Sequence, residues 1–411
     1  MGSAVMRSFW RHIFNTKGTW SLGASLAIAC GALCGRQELA SAESTMCAVA
    51  DEALSDAARL RGLAPTQKVP CVVRSTAEVE RFLRDTIAAK FPSNLLSMEE
   101  RVYRAIGVIP DDYPYADRIV QAYVSQIGGY YDPDKKTFVM VDTMATSMQY
   151  SVAVHELTHA LQDQHFGLVD FLDPKHKNDE LMAHAALVEG DATAIMQDSG
   201  RKRRVSSSES RSPAPDKPSP LEVPEGLERI LLFPYVEGLT FVQALRKEGG
   251  MKMINEAFHR PPGSSREVLH PAEYLRGAPQ PVEPTVDSLR EPGSNRSFEH
   301  TDSLGEFTIV ALLEAGGIEQ NAARQAAQGL RGDLVGVSMR KGTDCDVVWR
   351  TVWDSPEDAR DFASRYKEFL KTRYQREFGG DFVQVSPRKR MKVWQSPQDA
   401  VVIVEVVTNT L

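Results

Sequence analysis

Apolar residues recur at helical spacing over 46–62, 76–90 and 97–107, which predicts a layer of helices early in the chain. Past Pro110 the same spacing covers 116–126. The string GGYYDPDKKTFVMVD (128–142) then reads as two strands about the turn Asp132-Pro133-Asp134-Lys135. Helical spacing returns over 143–165, 179–198 and 227–248. Between 199 and 226 the pattern fails: Ser, Pro and charge leave almost no apolar anchor, so a flexible insertion is expected there, with the basic RKRR solvated. Residues 261–275 and 277–302 read as loops. Beyond them come a helix (304–315), a strand (346–354), an amphipathic helix (355–374) and two strand-like runs (390–395 and 400–407). The expected fold is α+β: a mainly helical domain over 43–275 with a small antiparallel strand element, a loop over 276–302, and a C-terminal α/β region over 303–411.

A chain of 411 residues, 42% of them hydrophobic, can fill one large core or two ordinary ones. The net charge of -7 gives no reason to expect a nucleic-acid partner. The first residues refine the picture. Arg7, Arg11 and Lys17 precede the apolar run SLGASLAIACGAL, and Ala40-Ser41-Ala42 follows it, which is the layout of an export signal over 1–42. Two readings stand: cleavage after Ala42, or lipid anchoring at Cys30 in Ala27-Ile28-Ala29-Cys30, a lipoprotein-like box. No later run approaches the roughly 20 apolar residues of a transmembrane helix. The mature protein is therefore expected to be secreted, periplasmic or attached to the envelope, with no spanning segment. Loss of 1–42 would leave Cys47, Cys71 and Cys345, and in an oxidising compartment Cys47 and Cys71 either close a loop across a predicted hairpin or stay as thiols.

The chemistry concentrates in HELTHALQDQHF (155–166). Positions four apart on an α-helix lie about 40° from each other, so His155 and His159 share a face and can converge on one ion, with zinc the natural fit for imidazole. Glu156 beside them is placed to take a proton from water at the metal rather than to ligate. Ala153, Val154, Leu157, Ala160 and Leu161 form the opposite, core-facing side. Chance alone would produce H-E-x-x-H in a chain of this composition on the order of one time in a hundred. The third ligand is read as Glu189 in AHAALVEGDATAIM. It is a carboxylate on a face of Met182, Ala185, Ala186, Ala192, Thr193 and Met196, where burial is costly without a cation, and Gly190 beside it permits close approach to the histidine helix. His165 is disfavoured, because Gln162 stands where a helix-breaking glycine would be needed and a continuing helix turns His165 away. Asp163 and Asp191 are candidates to orient the imidazoles, and Tyr235 and His270 are candidates to stabilise an oxyanion.

These residues resemble a zincin metallopeptidase of the gluzincin type, in which HELTH is followed by a helix carrying the glutamate of E-G-D-A. The strings GGYYDPDKK, HELTHALQDQHF, ALVEGDAT, FPYVEG, PPGSSREVLHPAEY and TVWDSPEDARDF, over roughly 95–375, are similar to those of a poorly characterised group of exported bacterial and archaeal HExxH proteins. The resemblance implies zinc, a water nucleophile and peptide or protein substrates, on a zincin-like fold. One departure is Leu330 in AAQGLRGD, where tryptophan is expected. The expectation is an exported zinc metallopeptidase with metal ligands His155, His159 and Glu189 and general base Glu156. The alternative is a non-catalytic envelope protein whose metal site staples helices or binds a partner. An open metal position facing a groove beside the strand 137–141 would favour catalysis.

Overall fold

The computed structural model describes residues 45–90, 94–125, 127–173, 175–206, 223–277, 281–291, 294–340, 344–396 and 399–408. The expected export signal, Cys30 included, and residues 207–222 of the expected insertion lie outside them. The helical half comprises α1 (Ala50–Arg61), β1 (Cys71–Arg74), α2 (Thr76–Lys90), α3 (Leu95–Ile106), α4 (Tyr115–Val124), β2 (Gly129–Asp132), β3 (Thr137–Val141) and α5 (Thr146–Phe166). It continues with α6 (Leu168–Phe171), α7 (Asn178–Ser206), α8 (Glu225–His259), α9 (Ser265–Leu269) and α10 (Pro271–Arg276). The C-terminal half comprises β4 (His300–Asp302), α11 (Gly305–Ala315), α12 (Gln320–Ala327), β5 (Leu330–Met339), β6 (Cys345–Trp353), α13 (Pro356–Tyr374), β7 (Val383–Ser386), β8 (Lys389–Gln395) and β9 (Val401–Thr408). The architecture is α+β. No described helix is long and apolar enough to cross a membrane.

The first sheet has the order β1-β3-β2, with β1 parallel and β2 antiparallel to β3. β3 is therefore central, and the edge that the sequence pattern assigned to 137–141 belongs to β2. The reason is β1: four residues, CVVR, are too few to display alternation, yet they cover the far side of β3. Val141 N donates to Gly128 O at 3.0 Å, and this register turns the main-chain groups of Gly129 and Tyr131 outward along the free edge.

Beneath this sheet α5 buries Ala153, Val154, Leu157, Ala160 and Leu161, as its spacing predicts, against Phe138, Met140 and the Ala50, Ala53 and Ala57 face of α1. An alanine face removes little apolar area from water, so α1 needs other restraints. One is a disulfide between Cys47 and Cys71, with Cα atoms 5.7 Å apart. It encloses α1 and a loop rather than a hairpin, and a bridge of this span contributes about 3 kcal/mol. Another is the C-terminal turn of α5: Gln164 Oε1 accepts from Thr66 N at 2.7 Å, and His165 Nε2 lies 2.8 Å from Ala64 O.

Helix α7 runs through Ser206, so 199–206 belong to a helix and not to the insertion expected over 199–226. Arg201, Lys202 and Arg203 of the basic run are exposed, and Arg203 also lies 3.7 Å over the Tyr150 ring and pairs with Glu52 at 3.5 Å. α7 and α8 meet backbone to backbone, since a Cβ on Gly190 would stand 2.2 Å from Gly238 O and one on Gly238 would stand 2.2 Å from Ala186 O. Gly190 thus serves approach to α8, not to the histidine helix. The stretch 261–275, read as a loop, holds α9 and the start of α10, whose first residue Pro271 needs no donor there.

The second sheet is antiparallel, in the order β4-β5-β6-β9-β8-β7. Strands β4, β5 and β7 escaped the sequence reading. In LRGDLVGVSM the glycines interrupt alternation, and Gly336 leaves room for Phe298 and Leu289, the first of which a Cβ would meet at 2.5 Å. Leu330, the departure noted above, opens β5 opposite Trp353. The division at 276–302 separates no cores, because one apolar cluster runs from Tyr103 through Phe307 to Trp349. Helix α3 lies against β5, β6 and β9, and Tyr366 on α13 donates to Ile106 O at 3.0 Å.

Candidate metal centre

Helix α5 presents His155 and His159 on one side, as spacing of four demands, and their Nε2 atoms lie 3.2 Å apart. α7 contributes Glu189, whose Oε2 is 2.9 Å from His155 Nε2 and 3.5 Å from His159 Nε2. Among the described residues these three form the one group of His, Cys, Asp or Glu whose donor atoms all lie within 4.8 Å of one another. The set fits a tetrahedral cation. Ligands about 2.0–2.1 Å from zinc stand about 3.3 Å from each other, and the three separations bracket that value.

Electrostatics point the same way. Burial would favour a neutral Glu189, but the His159 and His155 rings outweigh it and hold the carboxyl at about 2. Burial likewise disfavours a charged His159, yet Glu189, Glu156 and Gln162 raise it to about 9. Two imidazole nitrogens and a carboxylate oxygen crowd their lone pairs together, and such a cluster holds positive charge at its centre, whether proton or metal.

Glu156 points beside the triad and not into it. Its Oε2 accepts the outward Tyr131 N–H of edge strand β2 at 3.0 Å. Burial pushes its carboxyl up, with the two histidines opposing and Glu189 adding to the rise. A cavity of about 290 Å³ opens here, reaching His155, Glu156 and Tyr235, with Gly129 at the edge strand and Ile127, Val152, Met196 and Leu231 as apolar wall. Tyr235 follows Pro234 within α8 and stacks its ring on His155 at 6.3 Å between centroids, and burial together with the nearby Glu189 charge pushes its hydroxyl pKa well up.

Residues 295–410 match a family described as a domain of unknown function, DUF8575. That segment is the C-terminal sheet with its helices and includes none of the residues just described. No curated protein and no solved structure matches the chain.

The other sequence candidates separate clearly. His165 faces Ala64 O, because α5 continues to Phe166 before Gly167 closes it at φ 71. His270 pairs with Glu306 at 2.7 Å and does not line the cavity. Asp163 orients no imidazole: its Oδ2 takes the Tyr131 hydroxyl at 2.9 Å and Lys136 Nζ at 2.7 Å, fastening the β2–β3 hairpin to α5. Asp191 acts on His159 only through Gln162. The Gln162 Oε1 lies 2.8 Å from His159 Nδ1, and its Nε2 donates to Asp191 Oδ2 at 2.9 Å. Gln162, Arg61 and the Tyr131 amide were not singled out from sequence. Gln162 carried a signal, three residues after His159 on the same helical face. Arg61 carried none.

Proposed function

We propose that the chain is an exported zinc metallopeptidase of the zincin, gluzincin-like type, acting on peptide or protein substrates. The observation that carries this reading is the convergence of His155, His159 and Glu189 at near-tetrahedral spacing, with Glu156 beside them at the wall of a cavity. His155 Nε2, His159 Nε2 and Glu189 Oε2 would hold the zinc. Bound there, zinc would supply Lewis acidity, polarising a substrate carbonyl and acidifying water.

The remaining work falls to the chain's own groups. Gly129, whose main-chain groups face outward on the edge of β2, offers N–H and C=O to an extended peptide. Ile127, Val152, Met196 and Leu231 receive an apolar side chain and exclude water around it. The raised Glu156 carboxyl suits a group that takes a proton from the attacking water and returns it to the leaving amine. The Tyr235 hydroxyl stays protonated, since burial and the Glu189 charge push its pKa well up, and it can donate to a developing oxyanion.

Metal analysis paired with peptide hydrolysis tests the reading. The wild type should carry one zinc per chain and cleave peptides, and Glu156→Gln should keep the zinc while activity falls by about 10²–10⁴. Full activity in that variant would remove the mechanism. Loss of zinc without loss of activity would remove the metal. The structural-staple alternative predicts zinc in both proteins and hydrolysis in neither.

A further inference from the structure

Behind His159 a chain of buried side chains leads from the candidate centre to the N-terminal helix. Gln162 sets its direction. The amide nitrogen has two acceptors, Val188 O at 3.0 Å and Asp191 Oδ2 at 2.9 Å, so an inverted amide would turn its oxygen on a carbonyl and a carboxylate. Oε1 is therefore the atom that meets His159 Nδ1 at 2.8 Å. When the imidazole is neutral its hydrogen stays on Nδ1, and the lone pair is left on Nε2, the atom that faces His155 and Glu189.

Asp191 is held in turn by Arg61. The Arg61 Nε donates to Asp191 Oδ2 at 2.7 Å, and both side chains are fully buried. Arg61 is the last residue of α1, whose other buried positions are Ala50, Ala53 and Ala57. The alanine face binds weakly, so the place of Arg61 depends on what anchors the helix at both ends. Gln164 and His165 of α5 hold Thr66 and Ala64 just beyond Arg61, and the opposite, N-terminal end is tied to β1 by the Cys47–Cys71 disulfide.

We propose that Gln162, Asp191 and Arg61 are positioning residues for the His159 ligand nitrogen, and that the Cys47–Cys71 disulfide, by holding the helix that delivers Arg61, sets how tightly the centre retains zinc. This rests on the zinc-site reading above. With the disulfide broken, α1 keeps its alanine contacts and the bonds of Ala64 and Thr66 to α5, but its N-terminal end loses the tether to β1, so the helix can swing about the end that carries Arg61. Asp191 then loses its guanidinium part of the time, and Gln162 loses one of the two acceptors that orient it. Partners of a ligand histidine typically alter metal affinity 10–100-fold, which sets the scale expected.

The test measures zinc Kd by competition with a chromophoric chelator, and the absorption of the cobalt(II) form, on the full mature chain. The proteins are wild type, Cys47→Ser with Cys71→Ser, Gln162→Leu, and the combination of all three, each checked for a cooperative melt. The serine pair and Gln162→Leu should each bind zinc about 10–100-fold more weakly, with altered cobalt spectra. The combination should be no weaker than Gln162→Leu alone, because the disulfide acts through Gln162. A folded serine pair with wild-type zinc affinity overturns the proposal, and so does full additivity in the combination. If the serine pair does not fold, wild type and Gln162→Leu are compared before and after treatment with a water-soluble phosphine. The phosphine breaks the S–S bond, and with oxygen taken from water it becomes the phosphine oxide and leaves two thiols. Weakening confined to wild type supports the proposal, and equal or absent weakening overturns it. Wild type that takes up no zinc, or takes it up equally as His155→Ala, sinks the functional reading itself, whereas disulfide-insensitive binding at an intact centre sinks only the linkage.

Discussion

Glu189 in the helical half and Asp333 in the C-terminal sheet are both almost wholly buried carboxylates, and their surroundings treat them in opposite ways. Asp333 receives three N–H donors: Leu304 N at 2.8 Å, Gly305 N at 2.9 Å and Trp349 Nε1 at 2.9 Å. These bonds cap the start of α11 from a strand distant in sequence and leave no role for an added ion. Burial still pushes the Asp333 carboxyl up, to about 6, against those donors. Glu189 faces two imidazoles and a phenol, and its carboxyl is held at about 2 only because the rings carry positive charge. A buried carboxylate ringed by N–H donors is architecture. One set against competing lone pairs calls for a cation.

The sharpest way to break this comparison is to neutralise each carboxylate. Glu189→Gln should abolish zinc retention and peptide hydrolysis, whereas Asp333→Asn should leave zinc content at the wild-type level, and elemental analysis of both proteins decides. A zinc-replete Glu189→Gln protein would show the two carboxylates to be alike.

A smaller effect tests the packing that brings α7 into place. Gly190→Ala drives a methyl into Gly238 O, so urea unfolding should show a loss of about 1–3 kcal/mol, and the displaced Glu189 should weaken zinc binding as well. Loss of stability with unchanged zinc affinity would mean that the α7–α8 contact does not position the ligand.

Asp333 has a pH signature of its own. Its folded pKa is raised to about 6, above the unfolded value near 3.9, so the folded state binds the extra proton between them. Its contribution to stability is fully present below about pH 4 and is lost as pH rises through about 6. The stability of wild type relative to Asp333→Asn should accordingly fall by on the order of 2 kcal/mol between pH 4 and pH 7. A flat difference would place Asp333 among unperturbed acids. The smallest effect is expected at Trp394→Ser, on the exposed side of β8, where unfolding should shift by no more than about 0.5 kcal/mol with zinc unchanged.

Long periodic segments were legible. The helix carrying HELTH, the helix carrying Glu189 and the amphipathic helix at 356–374 each announced themselves by apolar spacing. The geometric case against His165 also follows from sequence, since ALQDQ contains nothing that stops a helix. Short or glycine-interrupted strands were not legible: Cys71–Arg74 has four residues, and Gly332 and Gly336 break the alternation of β5. The helical end of the expected insertion was missed for a different reason, because Arg203 is held by Tyr150 and Glu52 from other helices, which composition cannot register.

By itself, then, the sequence determined which face of α5 bears the histidines, which side meets the core, and which carboxylate is costly to bury, because these follow from helical period and residue type alone. Tertiary structure decided the rest. It set the distances among His155, His159 and Glu189, it made β2 and not β3 the free edge, and it brought Arg61 to Asp191 across 130 residues. The physical reason is that periodicity describes an element's own surface, whereas a site depends on which surfaces meet, and that is settled by packing between segments distant in the chain.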